Sequence, residues 1–599
     1  MVNNTLQIGI IGCGSRGLSI IERILSLSED DSERPVILNI FDPNPFGCGV
    51  HSLEQPDYLL LNTIAGQLGV FPDAASLGGI LGAKGRSGMS FLTWCHAQKI
   101  NVDPGSGRVA QGGRAVKAED FLPRRLLGEY LVYAFEQIIA SAPPHVQIRL
   151  HAETVVKIDQ GSVLHYCLTT DNGKEVEVEN LILTLGHTGR GRIQQSERIA
   201  SIYPLPASVD SISSGESVIV EGMGLGAMDV VAALTSGRGG VYKRLPGGEH
   251  IYYPSGREPL IFLQSREGIP FRVRPDGLAT FPRHQAVVLT SERIDLIRSS
   301  LPQRQLNFKQ DIVPLMLIEM RAAAAAVTFA AGNLPPHEAF LNELKCTAQH
   351  EITGVEDCEL LLTEYEKRLG RIDVETLLHD QLPTSVSVIN YHAWLCQTIE
   401  TDLHEAGRGL WFSPQKAALE VWRDLRDRLR EIVDFNGLDK NSHRQFYDRW
   451  HKIINRAVAG PQKERHADLM ALCDAGLLTF LYPGTVMGVS PHKRIPAYVH
   501  GSGIMNSDSL PIQSLKRMGL VRPFLAEEGL DGADINSAYH PLSHQGIAVN
   551  SLWIIGPLTE GACYYNHYVA SAGAPSRLFM DAHRIASQLL QPDTEAVLP

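Results

Sequence analysis

An α/β fold of two separate parallel-sheet units with an inserted α-helical domain is predicted by three observations on this 599-residue sequence. Two apolar runs, about two hundred residues apart, each end in a glycine-rich turn followed by a helical pattern. The first is QIGIIGCGSRGLSIIERI, with Gly12, Gly14 and Gly17; the second is SVIVEGMGLGAMDVVAAL, with Gly222, Gly224 and Ala227. Between about Ser291 and Leu478 the strand pattern gives way to Leu, Ala, Arg and Glu. A chain of this length exceeds what a single hydrophobic core serves. The expected division is 1–200 for the first unit, 201–290 for the second, 291–478 for the helical insert and 479–599 for the completion of the first.

The first unit reads as a Rossmann-like dinucleotide-binding domain. Leu6–Ile11 is a continuous apolar run, as a strand buried on both faces should be. Gly12 permits the tight turn, Gly14 a close approach to a pyrophosphate, and Gly17 close packing of the following helix. That helix opens at Ser15 with its free N–H groups directed at phosphates. A second strand, Val36–Phe41, ends in Asp42, about 25 residues after Gly17, where a ribose-binding carboxylate is expected. A turn or cap role before Pro43 is the other reading of Asp42. The Gly- and Pro-rich stretch that follows reads as a long functional loop. Asn62 and Thr63 end its apolar patch, either as cofactor contacts or as a polar strand end. The buried strand Leu181–Leu185 stops at Gly186, and SLWIIGPLTEG repeats the pattern with Gly556. Both glycines are expected beside the cofactor, and the second makes the first domain discontinuous.

In the second unit Ala227 replaces the third glycine, which the motif tolerates. The strand Leu260–Leu263 leads to Ser265 and Arg266 rather than to Asp or Glu. An acid there suits the 2′-hydroxyl of NAD, an arginine the 2′-phosphate of NADP. NADPH is therefore expected, with a solvated strand-end charge as the alternative for Arg266. Two facing dinucleotides are the arrangement that passes a hydride from a nicotinamide to a flavin, so FAD in the first unit and NADPH in the second are the predicted cofactors.

In the insert, SPQKAALEVWRDLRDRLREIV predicts one helix with Ser413 as N-cap and Pro414 at its first position. At 100° per residue Leu419, Trp422, Leu425, Leu429, Ile432 and Val433 share a face, and Arg426 falls among them, with Arg423 and Arg430 just outside. A guanidinium on a packed face needs an anion, either a protein carboxylate or a substrate carboxylate held by two parallel hydrogen bonds. Arg283, beside His284 at the entry to the insert, is a second substrate-binding candidate. Tyr564, Tyr565, Asn566 and His567 follow the last flavin strand, where they line the pocket or pack beneath the flavin.

A formal net charge of −12 argues against nucleic-acid and anionic-membrane partners. No apolar run reads as approaching the roughly 20 residues that span a bilayer. Nine cysteines without CxxC or paired spacing fit a reducing cytoplasm, and exclude on spacing both a zinc site and a redox dithiol. The oligomeric state is open, a homo-oligomer included.

The segments IGIIGCGSRG, FDPNPFGCGV, PDYLLLNT, LTLGH, NRAVAGP (Asn455–Pro461) and LWIIGPLTEG resemble, in order and over most of the chain, a bacterial family of FAD/NAD(P)-binding proteins. Its best-understood relatives are nitrosuccinate-synthase-type flavin monooxygenases, which oxidise the amino group of aspartate with NADPH and dioxygen. The resemblance implies FAD contacts at Gly12, Gly14, Gly17, Asp42 and Asn62, and NADPH contacts at Gly222, Gly224 and Arg266. It implies an N-oxygenation of a small amino-acid-like amine, in which dioxygen adds to flavin C4a and the distal oxygen passes to nitrogen. The loop LLLNTIAGQ holds no counterpart of the family's substrate lysine, which leaves the substrate open. The rival readings are an NAD(P)H-dependent flavin oxidase or reductase, and a non-catalytic dinucleotide-binding redox sensor.

Overall fold

Five parallel strands form the first sheet of the computed structural model, in the order Leu552–Ile554, Asn180–Leu183, Leu6–Ile11, Val36–Phe41 and Val146–His151. The structure describes residues 5–29, 34–80, 83–103, 108–188, 199, 201–245, 250–331, 337–349, 354–378, 381–485, 493–497, 503–525, 529–566, 569, 571 and 573–590. The central strand is buried almost throughout, which is why its sequence shows no apolar–polar alternation. The turn after it is shaped by glycine: Gly12 sits at φ +97°, and a Cβ on Gly17 would run into the Gly12 carbonyl oxygen. The following helix, Ser15–Leu27, packs against the C-terminal helix Arg577–Leu590, so both ends of the chain close one core.

The second sheet is also parallel, ordered Leu478–Phe480, Leu260–Gln264, Ser217–Glu221 and Lys493–Pro496. Its outer strands correct the expected division of the chain. Leu478–Phe480 and Lys493–Pro496 belong to this sheet, and among the described residues of the segment expected to complete the first sheet only the strand Leu552–Ile554 pairs there. Strands of three or four residues are too short to show a period.

The helical stretch divides as well. Tyr391–Arg408 and Lys463–Asp474 cover the second sheet, burying Leu395, Ile399, Leu469 and Leu472 against it. The helices Val313–Ala331, Pro414–Asp424, Arg426–Val433 and His451–Val458 form a separate core, into which Tyr564 inserts from the C-terminal segment. Phe308–Ala330 is, against the sequence reading, long and apolar enough to cross a membrane, but 78% of its most apolar stretch is buried inside the protein.

The expected 413–433 helix is broken at Leu425, which leaves helical geometry at ψ 19°. Ser413 caps the first piece as expected, its Oγ accepting from the Lys416 N–H at 3.2 Å. The apolar face is buried throughout, from Leu419 to Val433. The arginines differ from the wheel. Arg430 is the buried one, bonded to Asp427 Oδ1 at 2.6 Å and to the Tyr565 carbonyl at 3.1 Å. Arg426 is half-buried, because the break turns the start of the second piece toward an open cavity.

Candidate active site

A cavity of about 930 Å³ opens where the strands of the first sheet end. Ile11 and Gly12, Phe41 and Asp42, Thr184 to His187, and Pro557 each follow or close one of those strands and line it. This is the carboxyl-end crevice that parallel sheets offer to ligands. The helix Ser15–Leu27 starts at the cavity wall with no side chain of a described residue capping it and no acid in its first turn. Its leading N–H groups remain available to an anion. Gly14 lines the same wall, where a Cβ would come within 3.2 Å of the Gly49 Cα.

Asp42 is buried, and its position is fixed from two sides. Oδ2 accepts from the Cys13 N–H at 2.7 Å and Oδ1 from the Asn44 N–H at 2.9 Å. Asn62, Thr63 and Gly186 line the cavity with it. Bare helix N-terminus, glycine cradle and a braced carboxylate one strand away fit a dinucleotide: pyrophosphate at Gly14–Ser15, ribose at Asp42. Gly17 and Gly556 stand behind this wall as supports and do not line it.

The opposite wall comes from the helical region. Leu278, Phe281, Pro282 and Arg283 enter on one loop, and Glu420, Arg423, Asp424 and Arg426 on the broken helix. The loop is anchored by the buried Glu319, which accepts from the Val287, Val288 and Leu289 N–H groups and meets His284 Nε2 at 2.7 Å. His284 is thus consumed by the fold, while Arg283 beside it is exposed to the cavity. Arg426 lies 3.9 Å from the centre of the Tyr565 ring, and its Nη2 is buried without a hydrogen-bond partner among the described residues. Among those residues no carboxylate comes within ion-pair distance of it; the Tyr565 face and the more distant charges of Glu420 and Asp424 stabilise the cation.

Arg423 Nε lies 2.9 Å from Glu420 Oε1, which Arg274 also approaches at 3.7 Å. Burial nonetheless pushes the Glu420 carboxyl up to about 7, against the opposing pull of Arg274 and Arg426. Burial raises Asp424 as well, against a hydrogen bond from the His284 N–H. His51 also lines the cavity; burial and the neighbouring Arg124 hold its imidazole neutral, down to about 4. Glu420, Asp424, His51 and Arg124 escaped the sequence reading, and Arg423 was read only as lying just outside the packed helix face, since only the tertiary fold turns them into one space.

Asn566 departs from expectation. It does not line the cavity, and its Nδ2 donates to Thr559 Oγ1 at 3.2 Å and to the Cys563 carbonyl at 2.8 Å. The amide is spent on its own turn. That turn holds Tyr565 at φ +59° with its N–H on Glu560. His567 lies outside the described residues.

Gly222, Gly224, Ala227, Ser265 and Arg266 gather at the strand ends of the second sheet, and none of them lines the cavity. The helix Leu225–Leu234 also starts without a side-chain cap among the described residues, leaving its N–H groups open as in the first unit. Ser265 Oγ accepts from the Gly268 N–H at 3.0 Å, while the Arg266 side chain is 84% exposed and only 3.7 Å from Glu267. An exposed guanidinium beside an uncapped helix suits a phosphate. The two units are tied by Arg124, which lines the cavity and pairs with Asp229 of the second unit at 2.7 Å.

A family model described as FAD-NAD(P)-binding matches residues 9–188. Nitrosuccinic acid synthase npaA of Aspergillus oryzae is 29% identical over 95% of this chain and 89% of its own length. L-aspartate N-monooxygenase (nitrosuccinate-forming) of Streptomyces davaonensis is 30% identical over 79% of this chain and 76% of its own length. Among solved structures, an open crystal structure of cyclohexanone monooxygenase aligns over 98% of this chain and 86% of that one, at 10% identity and a TM-score of 0.38. Sequence identity sustained along most of both chains, together with two dinucleotide cradles, places the protein in the nitrosuccinate-forming N-monooxygenase family, with an FAD-NAD(P)-binding domain.

Proposed function

We propose that this enzyme N-oxygenates a small amino dicarboxylate, L-aspartate first among them, with NADPH and dioxygen. The carrying observation is the pair of cavity-facing arginines, Arg426 and Arg283, opposite the FAD cradle, of which Arg426 has a buried Nη2 with no protein hydrogen-bond partner among the described residues. Two guanidiniums match two carboxylates, and arginine binds each through parallel hydrogen bonds. The L-aspartate N-monooxygenase of Streptomyces davaonensis, at 30% identity, supports the same choice. These arginines supply anion recognition from a wall other than the loop LLLNTIAGQ, whose lack of lysine leaves its Asn62 and Thr63 to the cofactor side.

FAD, when bound, supplies the acceptor for the electrons of NADPH and the centre at which dioxygen is activated. Asp42 and the Gly14–Ser15 helix start hold it. The chain's own part is to bind, orient and deprotonate the substrate. Arg283 and Arg426 fix the carboxylates, and Tyr565 fixes Arg426. Glu420, with a carboxyl raised to about 7, accepts the proton that an ammonium must lose before its nitrogen is nucleophilic. Leu278, Phe281 and Leu410 line the cavity with apolar surface that limits water. Arg266 selects NADPH from the second unit, and the cytoplasm is the proposed location, supported by nine free cysteines.

The test is an amino-acid panel scored by NADPH consumption, peroxide release and product mass. The reading expects L-aspartate to raise NADPH oxidation and to yield oxygenated nitrogen with little peroxide. Consumption indifferent to every amino acid, with peroxide as the sole product, would leave an oxidase in its place.

A further inference from the structure

Cysteine spacing in the sequence excludes a thiol pair, yet folding makes one. His392 and Cys396 lie one turn apart on the helix Tyr391–Arg408, and Cys473 faces them from the helix Lys463–Asp474. A ring nitrogen of His392 and the two Sγ atoms lie within 4.8 Å of one another, all three residues half-exposed. Both helices cover the second sheet, away from the cavity that takes the flavin.

Two chemistries suit such a triad: a thiophilic metal or a redox dithiol. The histidine decides between them. The Phe480 N–H donates to His392 Nδ1 at 3.2 Å, which places the ring lone pair on Nδ1 and the proton on Nε2. Nε2 is the nitrogen beside Cys396, 3.8 Å from Sγ. Metal binding through Nε2 would need its lone pair there and a proton on Nδ1, facing the Phe480 N–H donor to donor. The ligand set for a metal is therefore incomplete. The same tautomer points an N–H at Cys396 sulfur, where it favours a thiolate.

We propose that Cys396 and Cys473 form a redox-active dithiol that hydrogen peroxide converts to a disulfide joining the two helices. The Cys396 thiolate attacks one peroxide oxygen, the O–O bond breaks, and hydroxide leaves with a proton as water. The resulting sulfenic acid is attacked by Cys473 sulfur; the S–S bond forms, the S–O bond breaks, and a second water leaves. Two thiols lose two electrons and one peroxide gains them. The His392 Nε2–H directed at Cys396 sulfur assigns attack to Cys396 and resolution to Cys473, and a hydrogen bond from Cys473 lowers the Cys396 thiol in the same direction. The inference stands apart from the substrate reading, since it needs only the thiols and the oxidant.

The experiment uses the full-length FAD-loaded protein carrying Cys346→Ser, which removes the exposed cysteine. One equivalent of hydrogen peroxide should abolish two thiols reactive to a disulfide reagent and lower the intact mass by about 2 Da. Peptide mapping should return a Cys396–Cys473 cross-link that dithiothreitol reverses. Cys473→Ser should stop at a sulfenic acid on residue 396, trapped by dimedone, and Cys396→Ser should leave Cys473 unreacted at the same dose. Mapping of the unsubstituted pair needs neither variant to fold. Higher oxidation of Cys396 without a cross-link would overturn the proposal. So would stoichiometric zinc in the purified protein that shields both thiols until chelated.

Discussion

The Arg426 guanidinium sits 3.9 Å from the centre of the Tyr565 ring, and the two residues reach that position from opposite directions. Arg426 opens a helix begun anew at the Leu425 break; Tyr565 is held in left-handed geometry by the Glu560 carboxylate. An aromatic face orients the guanidinium plane without consuming its N–H donors, so the cation is pre-aimed and still able to bind an anion. Arg426→Lys should fold and be reduced by NADPH normally. Its substrate KM should rise roughly 10- to 100-fold, the worth of a lost charge-assisted pair. Peroxide should replace product. A fall in thermal stability with KM and coupling unchanged would mean that Arg426 serves the fold alone.

The two dinucleotide units should fail separately. Gly14→Val would press its side chain on Gly49 and into the pyrophosphate position, giving colourless protein. Gly224→Val lies outside the cavity, beside Phe271, and should leave flavin bound while slowing its reduction. Asp42→Ala should weaken FAD by about 10- to 100-fold, through the lost ribose contact and the orphaned Cys13 N–H. Flavin absorbance and stopped-flow reduction measure both effects, and exchanged phenotypes would reverse the assignment.

Arg266 should choose between nicotinamides. Its side chain is exposed and its ion pair with Glu267 is long, at 3.7 Å, so Arg266→Ala costs the fold little. Loss of two charge-assisted bonds to a 2′-phosphate should raise the KM for NADPH roughly 10- to 100-fold and leave NADH nearly unchanged. Equal losses for both would assign the residue a structural part.

Both glycine-rich units were legible because strand, turn and helix are local, and their spacing is written in consecutive residues. Arg426 was legible as a charge on an apolar helix face and Arg283 only as a loop arginine at the entry to the insert; both line the cavity. What the sequence hid was non-local. Lys493–Pro496 is a polar-looking edge strand that only its pairing with Ser217–Glu221 identifies. The 391–408 helix reads like its neighbours, yet it covers a sheet. Leu425 lies on the apolar stripe, so the wheel continues straight through the break that frees Arg426. Cys396 and Cys473 become neighbours only through two packed helices. Asn566 looked free because its partners, Thr559 and Cys563, are equally plausible as pocket residues until the turn is folded.

Glu420 ties stability to pH and to catalysis at once. In the unfolded chain its carboxyl titrates at the ordinary 4.5, whereas burial in the folded protein pushes it to about 7. Between those values the folded state keeps a proton that the unfolded state releases. The stabilisation it contributes is complete below about 4.5 and is lost as pH rises through about 7, on the order of 3 kcal/mol in all. Glu420→Gln, which mimics the protonated form, should remove this residue's share of the slope: its unfolding free energy, followed by denaturant titration, should decline less than the parent's between about pH 4.5 and 7. The same variant cannot accept a proton from the substrate ammonium. Product formation should therefore drop about 10²-fold or more at neutral pH and recover as the amine deprotonates at higher pH. NADPH-dependent flavin reduction should be untouched. A flattened stability profile with normal product formation would separate the two roles, leaving Glu420 a buried counter-ion to Arg274 and Arg423 and placing the proton acceptor elsewhere in the cavity.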